Sequence, residues 1–278
     1  MATIADCLKL SQTLTEISPS PKLDVEVLLA AALGKTRTYL YTWPESKVTP
    51  DAYSLFQQYV QRRRQGEPIA YITGEKEFWS LPISVDKDVL IPRPETELLI
   101  ESVLSLYAND REQPKTVVDL GTGTGAIAIA LATECPQWII YAVDKFAAAA
   151  FLAKKNCRRL QVENIIVVQS DWLAAFGQTV DLIVSNPPYI AADDKHLNEG
   201  GVRFEPKSAL ISEENGLADI GKVIGQSHQR LSAGGWLLLE HGYNQANTVL
   251  ELLRNQGFSD CFVKRDISGN ERVSGGRK

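Results

Sequence analysis

The tetrapeptide Asn186-Pro187-Pro188-Tyr189, called here the acceptor loop, has the residue types of a site that recognises a planar –NH₂ group. Consecutive prolines fix φ and lack N–H groups, so the loop is stiff and offers carbonyl acceptors with few competing donors. The Asn186 side-chain oxygen and the Pro187 carbonyl can together accept both hydrogens of an amide or an aromatic amine. Tyr189 adds a flat face that can stack on the same group. We therefore expect Asn186, Pro187 and Tyr189 to be catalytic, with Pro188 completing the substrate-binding loop.

This arrangement would suit chemistry at a poorly reactive nitrogen. An amide nitrogen is a weak nucleophile because its lone pair is delocalised, and no ordinary side-chain base can remove its proton. Hydrogen bonds accepted from both N–H groups raise the electron density on nitrogen and direct it toward an activated carbon. Positioning and preorganised dipoles would then supply most of the acceleration.

A second segment has the pattern of a nucleoside-binding loop. The apolar strand Val117–Leu120 runs into Gly121-Thr122-Gly123-Thr124-Gly125, called here the glycine loop, and then into a helix. Glycines let the backbone turn sharply and approach a ligand, and the helix that follows offers free N–H groups. Asp144 ends the next strand, about 20 residues further on, where a carboxylate can accept hydrogen bonds from two ribose hydroxyls. We therefore expect a nucleoside cofactor.

The glycine loop alone does not separate a nicotinamide dinucleotide from S-adenosylmethionine, because Gly121, Gly123 and Ala126 also satisfy the dinucleotide pattern. Asp119 favours S-adenosylmethionine. A carboxylate at this strand end suits the ammonium of an amino-acid cofactor and would be repelled by a pyrophosphate. The alternative is that Asp119 only caps the loop.

Asp171 and Trp172 follow the third strand, where an adenine would project. Asp171 could accept a hydrogen bond from the adenine amino group, and Trp172 could lie against the ring. The alternative for Trp172 is a place in the hydrophobic core. We expect both residues to bind the cofactor.

The elements that must position these residues alternate along the chain. Short apolar runs predict strands at 116–120, 139–143, 165–169, 181–185 and 236–240, and helical patterns lie near 124–134, 146–160, 215–231 and 244–256. Repeated βα units with apolar strands predict an α/β fold with a mainly parallel sheet. Ligands bind beyond the carboxyl ends of such strands, where the residues named above occur.

The rest of the chain predicts two further parts. Residues 1–75 have helical patterns and an arginine run, Arg62–Arg64, that we expect to face solvent at a helix end. Residues 76–92 contain an alternating pattern typical of a β-hairpin connector. We thus expect a small N-terminal helical domain (1–75), the connector (76–92) and a ligand-binding domain (93–278). The C-terminal run Ser274–Lys278 looks truncated or divergent, and no role is predicted for it.

Composition narrows the class of partner. The 278 residues include 34 acidic and 29 basic side chains, a net charge of −5. A nonspecific DNA binder needs Lys and Arg to displace counterions, so this chain is unsuited to that role. Its four cysteines form no C-x-x-C or Cys/His cluster, and we expect neither a disulfide framework nor a metal site. With no basic segment before an apolar core and no long apolar run, we expect a cytoplasmic protein.

The motifs also carry a resemblance. The glycine loop, Asp144, Asp171-Trp172 and Asn-Pro-Pro-Tyr, in this order, resemble class I S-adenosylmethionine-dependent methyltransferases of Rossmann-like fold that modify planar –NH₂ groups. Further segments are similar to the peptide chain release factor glutamine methyltransferases, the HemK/PrmC family, over nearly the whole chain. These segments are Gly66–Tyr71, Phe78-Trp79, Ile91–Glu97, Arg203–Pro206 and Asn270–Arg272.

The resemblance implies transfer of a methyl group from S-adenosylmethionine to the side-chain nitrogen N5 of the glutamine in the Gly-Gly-Gln motif of release factors 1 and 2. By this resemblance Gly121–Gly125, Asp144 and Trp172 would contact the cofactor, and Asn186–Tyr189 would hold the glutamine. The N-terminal helices would grip the protein substrate. One departure is the alanine-rich segment Phe146–Ala150, where such enzymes often have more polar residues. We expect a monomer without nucleic acid or membrane partners.

Three alternatives remain open at the level of sequence. An amino-directed DNA methyltransferase would use the same tetrapeptide on a flipped adenine, but would need a basic channel that this composition does not indicate. A nicotinamide oxidoreductase would share the glycine loop and leave Asn-Pro-Pro-Tyr unexplained. A non-catalytic release-factor partner would keep the cofactor pocket and tolerate the loss of Asn186.

Overall fold

The computed structural model describes residues 1–278, and the chain folds into two compact units. The first unit contains Met1–Glu75 together with His196–Phe204. The second contains Lys76–Lys195 and Glu205–Lys278. The segment His196–Phe204 therefore belongs by its contacts to the first unit, although it follows the acceptor loop in the sequence.

The first unit is helical. Its elements are α1 (Ile4–Leu8), a 3₁₀ helix (Lys9–Leu14), α2 (Pro21–Leu33), α3 (Arg37–Thr42), α4 (Pro50–Arg64) and α5 (Ile69–Thr73). The helical patterns predicted for this part of the chain are confirmed. Both α2 and α4 begin with a proline, whose fixed φ suits the first turn of a helix. Gly34 ends α2 in the left-handed conformation, at φ +61°.

The core of this unit is a single cluster of apolar side chains from all the helices, including Leu14, Val25, Leu28, Leu40 and Phe56. The prediction that the arginine run faces solvent was wrong for Arg63. Its Nε donates to Asp24 Oδ2 at 2.7 Å, and its side chain is only 13% exposed. A partly buried guanidinium needs such a partner, because desolvating an unpaired charge is costly.

The predicted hairpin is confirmed. Strands β1 (Glu75–Phe78) and β2 (Leu81–Ser84) form a two-stranded sheet. The two turn residues, Trp79 and Ser80, have φ values of +51° and +58°. Positive φ at both central positions is what a tight hairpin turn requires, because its twist then matches that of the strands.

The second unit is built on a seven-stranded sheet of order β5-β4-β3-β6-β7-β9-β8. Its strands are β3 (Thr116–Leu120), β4 (Ile139–Asp144), β5 (Ile165–Gln169), β6 (Val180–Ser185), β7 (Leu231–Glu240), β8 (Ser259–Arg265) and β9 (Glu271–Arg277). The pairs among the first five strands in that order are parallel. The predicted α/β class and mainly parallel sheet are therefore confirmed.

Helices cover both faces of this sheet: α6 (Glu97–Leu106), α7 (Ala126–Glu134), α8 (Ala147–Arg159), α10 (Ala218–Arg230) and α11 (Ala246–Gln256). The segment α9 (Glu213–Gly216) is a short turn before α10, in which Glu214 and Asn215 have φ of +54° and +56°. One apolar cluster lies under α6 and α7, and the other lies under α10 and α11. The strand order reverses between β3 and β6, which are neighbours with Leu120 opposite Ser185. Crevices for ligands form at such a reversal, and here the glycine loop and the acceptor loop both begin there.

The C-terminal run, for which no role was predicted, is part of the sheet. β9 lies between β7 and β8 and is antiparallel to both. A Cβ atom on Gly275 would lie 2.7 Å from the Phe262 ring, and one on Gly276 would lie 2.8 Å from Phe258 Cβ. The glycines are needed for this close packing, and the same lack of side chains removed the alternating pattern by which a strand is predicted.

None of the helices combines the length and the apolar composition that a membrane-spanning segment needs. No group of three or more His, Cys, Asp or Glu side chains is placed to hold a metal ion.

Candidate functional site

The glycine loop connects β3 to α7 through three residues of positive φ: +70° at Gly121, +55° at Gly123 and +83° at Gly125. A Cβ atom on Gly125 would lie 3.2 Å from Ala153 Cβ, so this glycine allows α7 to pack closely on α8. A Cβ atom on Gly123 would meet nothing within 4 Å, which leaves that turn of backbone open toward a cavity. The loop therefore combines a packing requirement with an exposed backbone surface.

Asp144 ends β4 beside this loop and is 7% exposed. Its Oδ2 accepts a hydrogen bond from the Gly123 N–H at 2.9 Å, and its Oδ1 accepts one from the Phe146 N–H at 2.9 Å. Burial raises the pKa of this carboxyl group above its usual range. Each carboxylate oxygen can accept a further hydrogen bond, so a pair of ligand hydroxyls could bind here.

Asp119, the penultimate residue of β3, is fully buried. Its Oδ2 accepts hydrogen bonds from Thr122 Oγ1 at 2.6 Å and from the Ala128 N–H at 3.2 Å. Asp119 thus does cap the loop, while its Oδ1 is buried without a hydrogen-bond partner. Burial raises its pKa to about 7. The predicted contact with an ammonium group remains a prediction, and Oδ1 is the atom available for it.

Asp171 and Trp172 follow β5 and both line the cavity. Trp172 has φ +49°, a conformation that a bulky residue rarely adopts and that commonly marks a functional site. Its ring also packs against the core cluster under α10 and α11, so the two alternatives for this residue are not exclusive. The Asp171 side chain is 59% exposed, with Oδ2 3.5 Å from Lys145 Nζ.

The acceptor loop follows β6. Asn186 Nδ2 donates a hydrogen bond to Thr96 Oγ1 at 3.1 Å, whereas Asn186 Oδ1 is buried with no partner. An unpaired buried acceptor is costly, and natural proteins contain few of them. This oxygen is therefore a candidate acceptor for a ligand N–H.

Tyr189 lies at the other end of the loop and is held by Glu240 at the end of β7. Its hydroxyl donates to Glu240 Oε1 at 3.1 Å, and Thr96 Oγ1 donates to Glu240 Oε2 at 2.7 Å. Glu240 is 1% exposed, and burial raises both its pKa and that of Tyr189. Thr96 and Glu240 were not among the site residues predicted from the sequence. A charged residue ending the apolar strand 236–240 was the available signal for Glu240.

A cavity of about 310 Å³ brings these segments together. Of the predicted site residues, seven line it: Gly121, Gly123, Asp144, Asp171, Trp172, Asn186 and Pro188. Six do not: Asp119, Thr122, Thr124, Gly125, Pro187 and Tyr189. Lining residues that the sequence analysis did not predict as binding residues include Leu90, Phe146, Ser170, Lys222 and Gln226. These come from loops and from α10, where no motif marks a binding residue.

The lining combines features that suit a nucleoside. It has a buried carboxylate for hydroxyl groups, an aromatic ring at Trp172 and a glycine backbone for close approach. Its volume lies within the range of small-molecule sites, about 300 to 1,000 Å³. Asn186, whose Oδ1 is buried without a partner, lines the same cavity, so a bound nucleoside and a substrate N–H could meet near this residue.

The chain is similar to known proteins over nearly its whole length. Residues 8–74 match the family model described as PrmC N-terminal domain, and residues 94–203 match the one described as Methyltransferase small domain. A release factor glutamine methyltransferase of Pseudomonas aeruginosa is 51% identical over 278 residues, covering 100% of this chain and 99% of that protein. One from Escherichia coli is 47% identical over 263 residues, covering 94% of each chain.

The fold also matches solved structures. One is the 16S rRNA N2 G1207 methyltransferase of T. thermophilus, solved in complex with AdoMet and guanosine. The match has a TM-score of 0.53 and 18% identity, and it covers 73% of this chain and 49% of that one. At this identity the likeness concerns the fold.

Proposed function

This chain belongs to the family of release factor glutamine methyltransferases, and from that premise we propose how its residues perform the reaction. Its activity is the transfer of a methyl group from S-adenosylmethionine to the side-chain amide nitrogen of a glutamine in a release factor. The observation that carries the residue assignment is that Asn186 lines the cavity and that its Oδ1 is buried without a hydrogen-bond partner.

We assign the cofactor to the cavity between the glycine loop and the acceptor loop. The carboxylate of Asp144 would accept from the ribose hydroxyls, Trp172 would cover the adenine with Asp171 near its amino group, and Gly121–Gly125 would allow close approach of the backbone. The unpaired Oδ1 of Asp119 would receive the ammonium group, directly or through water. When bound, S-adenosylmethionine supplies an electrophilic methyl group on a sulfonium ion.

The acceptor loop would hold the glutamine. Asn186 Oδ1 and the Pro187 carbonyl would accept the two amide hydrogens, which raises the electron density on nitrogen and fixes its direction of attack. Pro187 and Pro188 keep this geometry stiff because their φ angles are locked. Stacking of the Tyr189 ring on the substrate amide is part of the proposal, although Tyr189 does not line the cavity.

The finer identity of the substrate is also proposed. We assign the activity to the Gly-Gly-Gln glutamine of release factors 1 and 2, with residues 1–75 as the recognition domain, 76–92 as connector and 93–278 as the methyltransferase domain. Release factors work where peptide chains are made, so we place the reaction in the cytoplasm. We propose that the enzyme acts as a monomer on its protein substrate, without nucleic acid or a membrane.

The test is methyl transfer by the purified chain. It is incubated with S-adenosylmethionine and either unmodified release factor or duplex DNA, and the products are analysed by mass spectrometry. We expect a gain of one methylene mass on the peptide that contains the Gly-Gly-Gln glutamine. Methylation of adenine alone would instead support the DNA alternative. Cofactor binding without any transfer would support the non-catalytic one.

A second measurement concerns Asn186 itself. Replacement by Ala should remove about 2 to 4 kcal/mol of transition-state stabilisation, by analogy with the loss of one oxyanion-hole donor. The value of kcat should fall accordingly. The affinity for S-adenosylmethionine, measured by calorimetry, should change little. An unaltered kcat would remove Asn186 from the mechanism.

A further inference from the structure

The direction of the Asn186 amide decides whether the acceptor loop can hold a substrate –NH₂ group. An asparagine side chain has an acceptor on one side and two donors on the other. If its NH₂ group faced the substrate, donors would confront donors and the substrate amide would be rejected. The prolines that follow Asn186 restrict backbone φ, but they do not restrict the side-chain torsion χ2, which turns the amide over. Residues outside the loop must therefore hold the Asn186 amide in one orientation.

Two buried side chains outside the loop meet this need. Thr96, 4% exposed, lies at the end of a short 3₁₀ helix (Pro94–Thr96), and Glu240 lies at the end of β7. Thr96 Oγ1 is 2.7 Å from Glu240 Oε2 and 3.1 Å from Asn186 Nδ2. The three side chains therefore form one continuous chain of hydrogen bonds.

The protons in this chain can be placed from its ends. Thr96 Oγ1 donates its single hydroxyl proton to Glu240 Oε2. The Thr96 oxygen can then only accept from Asn186, which requires the Nδ2 side of the amide. Asn186 Oδ1 is thereby turned away from Thr96, and it is the atom left without a partner. The other oxygen of Glu240 accepts the hydroxyl proton of Tyr189, so one carboxylate is linked to Tyr189 directly and to Asn186 through Thr96.

We propose that Glu240 and Thr96 are positioning residues that hold the Asn186 amide with its oxygen toward the substrate nitrogen. The inference rests on the proposed function of the acceptor loop and adds the two residues that give this loop its polarity. Neither residue needs to touch the substrate. Their effect is to make one of two nearly isosteric amide orientations the stable one.

The experiment compares Thr96→Val with Thr96→Ser, since valine keeps the shape of threonine and serine keeps its hydroxyl. Steady-state kinetics are measured with unmodified release factor and S-adenosylmethionine, and cofactor affinity is measured by calorimetry. We expect Thr96→Val to lower kcat by about 10- to 100-fold, the range for losing one buried hydrogen-bond partner. The cofactor Kd should stay within about twofold, and Thr96→Ser should recover most of the rate.

Ser102→Ala is the matched control. Ser102 is also 4% exposed and donates to the Leu98 carbonyl within α6, so its loss removes a buried hydroxyl outside the chain. It should alter thermal stability without altering kcat. A wild-type kcat for Thr96→Val, or equal loss in the Ser and Val variants, would overturn the proposal.

Glu240→Gln allows a double-mutant test together with Thr96→Val. It keeps the shape of the side chain but places an NH₂ group against one of the two hydroxyls. Combined with Thr96→Val, it should lower kcat by clearly less than the product of the two single effects, because both act through the same amide. Fully multiplicative effects would contradict the proposal. Failure of the wild-type enzyme to methylate any release factor would instead refute the proposed function.

Discussion

The side chain of Asn156 in α8 is hydrogen-bonded to both the backbone N–H and the backbone carbonyl of Ser84 in β2. Its Oδ1 accepts from the Ser84 N–H at 3.0 Å, and its Nδ2 donates to the Ser84 carbonyl at 3.0 Å. The same Nδ2 donates to the Thr124 carbonyl of the glycine loop at 2.9 Å. One fully buried amide thus ties the hairpin and the glycine loop to α8.

Replacement of Asn156 by Ala should therefore destabilise the protein. It leaves one N–H and two carbonyl groups without a partner, and we expect a loss of about 2 to 4 kcal/mol in the free energy of unfolding. Urea denaturation measures this loss. The exposed Asn255 in α11 offers a control, because Asn255→Ala removes the same amide at the surface and should change stability little. Equal effects of the two variants would show that the Asn156 contacts contribute nothing.

Asp119 should make stability depend on pH. Burial raises its pKa from 3.8 to about 7, so between these values the folded chain holds a proton that the unfolded chain has lost. Its stabilising contribution is complete below about pH 4 and is lost as the pH rises through 7. The free energy of unfolding of the wild type, relative to Asp119→Asn, should fall by on the order of 2 to 4 kcal/mol between pH 4 and 8.

Chemical denaturation of both proteins across this pH range gives the difference directly. Asp193→Asn serves as a control at an exposed position, and its difference from the wild type should stay nearly constant. A constant difference for Asp119→Asn as well would mean that the buried carboxyl group does not titrate in this range.

Gly216 should tolerate no side chain, because a steric clash adds to the strain of its positive φ angle. Its φ is +85°, and a Cβ atom there would clash with the Tyr189 carbonyl, which also accepts from Gln245 Nε2 at 3.0 Å. Gly269 has the same φ and open space around a Cβ atom. Gly269→Ala should therefore cost only about 1 to 2 kcal/mol of strain.

Gly216→Ala should cost more stability and, because it displaces one end of the acceptor loop, should also lower kcat by about tenfold or more. Unfolding curves and turnover with release factor are compared for the two variants. An equal loss of stability with unchanged kcat in both would show that the loop adjusts freely to the added methyl group.

Trp172 should contribute to cofactor affinity more than to turnover. Replacement by Ala removes an aromatic wall of the cavity, and we expect the Kd for S-adenosylmethionine to rise by about 10- to 100-fold, as for the loss of a stacking ring and its buried area. Calorimetry measures this change. Phe151→Ala removes an aromatic ring that is 72% exposed and is not among the cavity-lining residues, and it should leave the Kd unchanged. Equal affinities in both variants would place the adenine elsewhere.

Local sequence patterns were sufficient to predict several strands and both loops of the candidate site. The strands at 116–120 and 165–169 have the predicted bounds, because each is a short, mainly apolar run of the length typical of a strand. The glycine loop and the acceptor loop could be identified because each is contiguous and carries its chemistry in adjacent residues. The strands β8 and β9 were missed, and in β9 the reason is that Gly275 and Gly276 interrupt the side-chain alternation that marks a strand.

The tertiary structure decided what surrounds those motifs. Thr96 is 90 residues from Asn186 and 144 from Glu240 in the chain, yet it is hydrogen-bonded to both. Asn186 and Glu240 lie close together because Asn186 follows β6, Glu240 ends β7, and these two strands are neighbours in the sheet. Strand order is not encoded in any local pattern, so no spacing could reveal these hydrogen bonds. The sequence alone thus determined which groups could accept a hydrogen bond from a substrate. Only the folded chain decided in which direction the Asn186 amide points.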